Sequence, residues 1–216
     1  MKSWLILICM LVLLEGINLS HKSFLKNSDT SLTIYYDSLC GDSMRFISNY
    51  FKPYFNNKDF SSNSKVKLIP GSLMTADGNS LYCKHGYNEC LGNVYHACAQ
   101  NLFGENKFNQ FVICYFDYYQ NVEDSSLTCA ENVGMKSQDL KNCAETDMGR
   151  TLALNIVKHK QVYNFQFGHS PLVLVNEDYN RLVEEDVLNS GLFYYLCQNN
   201  NTKLPCNSLN NLKKRR

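Results

Sequence analysis

The chain has 216 residues, and its 21 basic and 20 acidic side chains leave a formal net charge of +1. A charge so close to zero excludes the basic surface that nucleic-acid binding uses, so we expect no nucleic-acid partner. The length suits one domain that carries a modest insertion.

The first twenty residues predict a cleaved signal peptide. Lys2 precedes an apolar run from Trp4 to Leu14, and a membrane span would need about twenty apolar residues. We therefore expect residues 1–20 to be removed and 21–216 to form one domain, secreted or lysosomal, without a membrane span. The sequon at Asn200 predicts N-glycosylation on that route.

The first predicted elements of secondary structure are a strand, a helix and a second strand. Residues 31–37, which alternate weakly and contain the β-prone run 32–36, predict the first strand, and apolar side chains at three- and four-residue intervals over 44–55 predict a helix. Pro53 should kink or end that helix. Val66–Ile69 predicts a short second strand.

A block of helices follows, and then the sheet resumes. The apolar spacing predicts helices at 95–102, 107–119, 129–133, 137–143 and 147–162. Residues 172–175 predict a strand, 181–183 a final strand, and 187–197 a terminal helix. This order indicates the α/β class: a thioredoxin-like fold with a helical, disulfide-rich insertion.

Cys40 stands at the turn between the first strand and the first helix. A helix N-terminus there would stabilise a thiolate, as in redox sites that read Cys-x-x-Cys. The fourth position is Ser43, so the site can attack a disulfide but lacks the second thiol that would release it. The carboxylate of Asp42 should oppose thiolate formation, to an extent that depends on its exposure.

Cysteine parity also singles out Cys40. Loss of Cys9 with the signal peptide leaves an odd number of cysteines, which points to one free thiol. The other cysteines can form four disulfides: Cys83, Cys90, Cys98, Cys114, Cys129, Cys143, Cys197 and Cys206. We expect the local pairs Cys129–Cys143 and Cys197–Cys206, and leave the remaining pairing open.

The densest motif is Cys-Lys-His-Gly-x-x-Glu-Cys-x-x-Asn-x-x-x-x-Cys, residues 83–98. Its fixed positions are Cys83, His85, Gly86, Glu89, Cys90, Asn93 and Cys98. The cysteines of this motif, together with His85 and His96, could bind zinc. The short Cys-x₂₋₄-Cys spacing of zinc knuckles is absent, however, so we expect disulfides and no metal. The motif resembles the signature of the gamma-interferon-inducible lysosomal thiol reductases, a family that usually has Gln where this chain has Lys84.

The resemblance extends over roughly residues 32–206 and implies a thioredoxin-like fold that reduces protein disulfides. Cys40 is then the attacking thiol, and Ser43 occupies the position of the second active-site cysteine. Ser170-Pro171 resembles the cis-proline that faces the cysteine in such folds. His169, two residues before Pro171, is a weaker candidate, and His159 fits a solvated helix face.

The function predicted is thiol–disulfide oxidoreduction on protein disulfides through one nucleophilic cysteine. A serine hydroxyl cannot displace sulfur, so an external small thiol must resolve the mixed disulfide and act as reductant. No resident cofactor is expected. The alternative is a binding protein on the same scaffold that recognises or covalently holds a partner without turnover.

Overall fold

The computed structural model describes residues 30–71, 73–74, 78–161, 169–199 and 204–206. The predicted signal peptide, the sequon at Asn200 and the basic C-terminal end lie outside these ranges. Strands β1 to β5 comprise Ser31–Tyr36, Lys65–Pro70, Leu73–Met74, Leu81–Tyr82 and Leu172–Val175. Helices α1 to α10 comprise Gly41–Phe46, Lys52–Asn56, Lys58–Ser61, Tyr87–Phe103, Glu105–Asp117, Val122–Asn132, Ser137–Ala144, Asp147–Gln161, Arg181–Ser190 and Leu192–Asn199.

Strand β1 lies at the centre of a mixed sheet. It pairs in parallel with β2 and antiparallel with β5, so that Ile34 stands opposite Leu68 on one side and Val173 on the other. Alternate β1 side chains enter two hydrophobic clusters, with Ile34 in the larger one and Tyr35 in the smaller one. Burial on both faces explains why β1 is apolar along nearly its whole length.

The helical block between β4 and β5 is organised around α4. This helix packs against each of α5, α6, α7 and α8, and it also contacts β2. The helices predicted over 107–119, 137–143 and 147–162 correspond to α5, α7 and α8. The insertion therefore rests directly on the sheet. No helix in the described ranges is both long and apolar enough to cross a membrane.

The helix after Cys40 changes its winding before Pro53. A π-helical turn, Ile47–Phe51, joins α1 to α2, and Pro53 lies in the first turn of α2. Proline has no N–H to donate to the preceding turn, and its ring crowds the carbonyl four residues back. A π turn accommodates such a local mismatch without ending the helix.

The final strand predicted over 181–183 is wrong, because these residues open α9. The side chain of Asn180 accepts hydrogen bonds from the backbone N–H groups of Leu182 and Val183, which caps the helix. Gly191, with φ 84°, ends it before α10.

Helix α4 begins eight residues earlier than the predicted Tyr95. Gly86 precedes it with φ 82°, a conformation that favours glycine, and Glu89 reaches back across the first turn. The Glu89 carboxylate accepts the backbone N–H of His85 at 3.1 Å and contacts the His85 ring nitrogen Nδ1 at 2.5 Å. Glu89 thus stabilises the helix start in the manner of a capping box.

Candidate active site

Cys40 occupies the turn between β1 and α1. It precedes the first residue of α1, with extended backbone angles, and its carbonyl accepts the N–H of Met44 at 2.9 Å. Among the described cysteines, it is the one outside a disulfide, and 9% of its surface is exposed. Cys40 therefore occupies the position that immediately precedes a helix.

The peptide bond between Ser170 and Pro171 is cis, as predicted, and it lies against the Cys40 sulfur. The distance from Cys40 Sγ to the Ser170 carbonyl oxygen is 3.2 Å. Beside this contact is a cleft of about 330 Å³ that reaches from the first turn of α1 to Pro171. Ser170 and Pro171 line this cleft, so it borders the cis-proline side of the contact with Cys40.

Ser43 is fully buried and its hydroxyl joins three segments. Its Oγ accepts the backbone N–H of Asp37 at 3.2 Å and lies 2.8 Å from Ser170 Oγ. The Ser170 side chain also hydrogen bonds to the Asp37 carboxylate. In the position of a resolving cysteine, the hydroxyl of Ser43 thus ties the turn to the helix and to the cis-proline loop.

Asn93 connects the signature motif to the turn that carries Cys40. Its Nδ2 donates to Asp37 Oδ1 at 2.9 Å, and its Oδ1 accepts the backbone N–H of Ser38 at 2.8 Å. Ser38 Oγ in turn donates to the carbonyl of Glu89 at 3.0 Å. Both ends of the Asn93 amide are therefore used to hold the loop against α4.

Gly92 permits this close approach. A Cβ atom at Gly92 would lie 2.3 Å from Ser38 Oγ, well inside a real contact distance. The sequence analysis did not single out Gly92 or Asp37. A glycine within a helix is a signal for close approach of another segment, so Gly92 could have been found.

Asp37 is a second carboxylate near Cys40, and it is mostly buried. Burial raises its pKa, while the ammonium group of Lys160 and the hydrogen bonds from Asn93 and Ser170 oppose that rise. Lys160, at the end of α8, is itself only 4% exposed, and burial lowers its pKa. Asp37 and Lys160 thus place opposite charges behind the turn.

Asp42, the carboxylate that sequence analysis did identify, faces solvent. Its side chain is 64% exposed and forms an ion pair with Arg45, one turn along α1. Solvent and the neighbouring cation screen the charge of Asp42. Asp42 is therefore a weaker influence on Cys40 than its sequence position suggested.

The two histidines considered as candidates differ in position. His169 lines the cleft beside Pro171, and its Nε2 lies 3.0 Å from a carboxylate oxygen of Glu184. Glu184 also accepts the backbone N–H of Val173 in β5, so it connects α9 to the sheet. His159 Nδ1 lies 3.3 Å from the hydroxyl of Tyr35, away from the cysteine turn.

The disulfide pairing corrects one sequence prediction. The structure contains the predicted Cys197–Cys206 bond, but Cys143 pairs with Cys98 and Cys129 pairs with Cys114. The reason is helix packing: Cys98 on α4 faces α7, and Cys114 on α5 faces α6. The remaining bond, Cys83–Cys90, closes the loop that contains His85 and Gly86.

A strand that leads into a cysteine-headed helix, with a cis-proline against the sulfur, defines a protein of the thioredoxin-like class. Comparison with solved structures supports this fold. Oxidised BdbD from Bacillus subtilis superimposes with a TM-score of 0.57 at 13% identity, over 79% of this chain and 89% of that one. The predicted thioredoxin-like fold with a helical, disulfide-rich insertion is therefore confirmed.

Sequence comparison identifies the family. Residues 31–133 match the model of the gamma-interferon-inducible lysosomal thiol reductases. GILT-like protein 2 of Drosophila melanogaster is 26% identical over 69% of this chain and 70% of its own length. The gamma-interferon-inducible lysosomal thiol reductase-like protein of Anopheles gambiae is 31% identical over 63% of this chain and 62% of its own length. The chain is therefore similar to members of this family over most of its length.

Proposed function

We propose that this protein is a monothiol thiol–disulfide oxidoreductase that acts on disulfides of other proteins. The observation that carries the proposal is the free thiol of Cys40, at a helix start and 3.2 Å from the carbonyl oxygen of Ser170. The similarity to the gamma-interferon-inducible lysosomal thiol reductases supports the reaction class. Ser43 in place of a second thiol sets the form of the mechanism.

In the first step the Cys40 thiolate attacks one sulfur of a substrate disulfide. A new sulfur–sulfur bond joins Cys40 to that chain, the substrate bond breaks, and the other sulfur leaves as a thiolate that takes a proton. Ser43 cannot carry out the next displacement, because an alcohol is far less acidic than a thiol and oxygen does not replace sulfur.

In the second step an external thiol, such as glutathione or free cysteine, attacks the mixed disulfide. Attack at the Cys40 sulfur releases the reduced substrate and leaves the small thiol joined to Cys40. A second molecule of small thiol then attacks this bond, which frees Cys40 as a thiolate and joins the two small thiols in a disulfide. Two molecules of small thiol are thus oxidised for each protein disulfide reduced. No resident cofactor is needed.

We further propose that this chemistry takes place in the lysosome or outside the cell. The predicted signal peptide and the four disulfides among the described residues support passage through an oxidising compartment. The relative from Anopheles gambiae is named a lysosomal thiol reductase-like protein.

The test uses the folded protein with its disulfides intact. A disulfide-containing protein substrate is supplied with excess glutathione, and reduced substrate is measured over time, with mass spectrometry of Cys40 in parallel. We expect a mixed disulfide at Cys40 and repeated turnover, both abolished in Cys40→Ser. A mixed disulfide without turnover would overturn the enzyme and favour a protein that holds its partner covalently.

A further inference from the structure

Lys160 is buried at the wall of the active site, where the proposed reaction does not use it. Its side chain is 4% exposed, and its ammonium nitrogen lies 5.7 Å from the centre of the Tyr35 ring. Burial of a lone charge is costly, so buried lysines are found where an opposite charge or a ring face compensates.

The position of Lys160 is defined by Gly71, at the end of β2. A methyl group built on Gly71 would lie 3.4 Å from Asp37 Oδ1 and 3.5 Å from Lys160 Nζ. The backbone N–H of Gly71 also donates to the carbonyl of Tyr36 at 2.6 Å. The carboxylate and the ammonium group therefore border the same small space directly behind the turn that leads to Cys40.

The Asp37 carboxylate is joined to Cys40 by a short path. It accepts the hydroxyl of Ser170, and the carbonyl of that same Ser170 lies against Cys40 Sγ. The Ser43 and Ser170 hydroxyls are hydrogen bonded to each other, and Ser43 Oγ accepts the Asp37 N–H. When Asp37 is ionised, Ser170 must donate to it, and Ser43 must then donate to Ser170. This ring of hydrogen bonds has a consistent direction when Asp37 is an acceptor, as an ionised carboxylate is.

We propose that Lys160 is a positioning residue for Cys40: its buried charge offsets that of Asp37, so that the carboxylate orders Ser170 without suppressing the Cys40 thiolate. The inference rests on the proposed function only in that Cys40 reacts as a nucleophile. Because Lys160 lies on α8, the helical insertion would then contribute a charged side chain to the surroundings of Cys40.

Other charged groups near this pair are present in all the variants proposed below. On the Asp37 side Glu89 contributes negative charge but is paired with His85, and Lys84 faces Lys160. On the Cys40 side the ion pair Asp42–Arg45 and the hydrogen-bonded pair His169–Glu184 border the cleft. Differences between variants therefore report on Asp37 and Lys160.

The test is a double-mutant cycle that removes the charges of Lys160 and Asp37 singly and together. The rate of alkylation of Cys40 is measured in each variant, so the test does not depend on turnover. The rate of reaction with iodoacetamide is measured between pH 4 and pH 10 for the wild type, Lys160→Met, Asp37→Asn and the double variant. Lys160→Met leaves a lone carboxylate and should move the midpoint of the profile up by about one pH unit. Asp37→Asn should move it down, and the double variant should return close to the wild type.

Two further variants separate charge from packing. Lys160→Arg keeps the charge and should keep the wild-type midpoint, while Lys158→Met, on the exposed side of the same helix, should change nothing. A purely structural role for Lys160 would lower the melting temperature without opposite shifts of the midpoint. Shifts of the same sign, or no shift in Lys160→Met, would overturn the inference.

If Lys160→Met does not fold, Lys160→Gln, which also removes the charge, takes its place in the cycle, and no upward shift in that variant overturns the inference. Asp37→Asn and Lys160→Arg serve as the companions of this variant. A lower midpoint in the first with an unchanged midpoint in the second supports the offset of charge, and an unchanged midpoint in Asp37→Asn overturns it. Failure of the proposed function has a different signature: Cys40 would be alkylated with the expected profiles, but no variant would turn over a protein disulfide with glutathione.

Discussion

The hydroxyl oxygen of Ser43 lies 2.8 Å from the hydroxyl oxygen of Ser170, the residue whose peptide bond to Pro171 is cis. The position that would hold a resolving thiol is therefore occupied by a group with a structural task. Its oxygen also accepts the backbone N–H of Asp37. A substitution at Ser43 changes both the chemistry available at the site and the hydrogen bonds that hold it.

Ser43→Cys should raise disulfide-reductase turnover, most strongly when glutathione is scarce. An intramolecular thiol next to the mixed disulfide acts at a high effective concentration, so we expect at least about a tenfold gain. The same substitution weakens the hydrogen bonds of residue 43, because sulfur is a poor donor and acceptor. The free energy of unfolding should therefore fall by about 1 kcal/mol. Turnover is measured against glutathione concentration, and stability by denaturant unfolding.

The control for this variant is Ser43→Ala, which loses the same hydroxyl and gains no thiol. It should show the loss of stability without the gain in turnover. If Ser43→Cys stays at the wild-type rate while Cys40 remains accessible to alkylation, the missing thiol is not what limits the protein. The alternative of a binding protein on this scaffold would then be the better account.

Local sequence was sufficient to predict the position of the free cysteine between a strand and a helix. Cys40 and Ser43 are the first and fourth residues of one short motif, and the strand before them and the helix after them have clear periodicity. Cysteine parity selected Cys40 independently. The cis bond before Pro171 could be predicted only from the family resemblance, because proline alone favours trans.

The surroundings of the centre depend on contacts between distant segments, and these were not predicted. Cys143 was paired with the nearby Cys129, but the packing of α7 on α4 brings it to Cys98, 45 residues away. The burial of Asp37 beside Lys160 likewise requires the end of α8 to return to the sheet. The spacing of apolar residues indicates which face of a helix is buried, but it does not indicate which other helix packs against that face.

Asn93→Ala should destabilise the protein by about 1–3 kcal/mol, because it removes a buried amide that satisfies two partners. The Ser38 N–H and the Asp37 carboxylate would each lose a hydrogen bond at a position with little access to water. Urea unfolding under non-reducing conditions measures the loss. Asn88→Ala, exposed in the first turn of the same helix, is the matched control and should change stability far less.

Asn93→Ala should also loosen the turn that carries Cys40, which increases the alkylation rate of the thiol if access limits it. Protection of the Ser38 amide from hydrogen exchange gives a local readout. An Asn93→Ala protein with wild-type stability and wild-type amide protection would show that the hydrogen bonds from α4 do not hold the turn.

Gly92→Ala should be destabilising, although alanine is the better helix former by about 1 kcal/mol. The added methyl carbon would stand 2.3 Å from Ser38 Oγ and 2.9 Å from Ser38 Cβ, so the turn must move away from α4. Such overpacking costs about 1–3 kcal/mol, and we expect it to exceed the gain in helix propensity.

Thermal unfolding compares Gly92→Ala with Gly41→Ala, whose new Cβ has no atom within 4 Å among the described residues. Gly41→Ala should keep or raise the melting temperature, because it gains helix propensity without a clash. A Gly92→Ala protein that is more stable than the wild type would mean that helix propensity dominates and that the turn adapts without cost.

His96 should make the protein less stable in acid, because it is buried in the helical insertion and its neutral form is required there. Its Nδ1 lies 2.7 Å from the hydroxyl of Tyr36, and burial lowers its pKa from 6.5 to about 3. Between these values the unfolded chain binds a proton that the folded protein does not. Stability supplied by neutral His96 is therefore present above pH 6.5 and is lost as the pH falls towards 3.

The measurement is the free energy of unfolding between pH 7 and pH 4 for the wild type and His96→Gln. In the difference between the two, His96 should contribute a slope that approaches about 1.4 kcal/mol per pH unit, which the glutamine variant lacks. Tyr36→Phe removes the hydroxyl partner but keeps the imidazole, so it should lower stability while retaining the slope. Equal slopes for the wild type and His96→Gln would show that His96 is protonated equally in the folded and unfolded states, contrary to its burial.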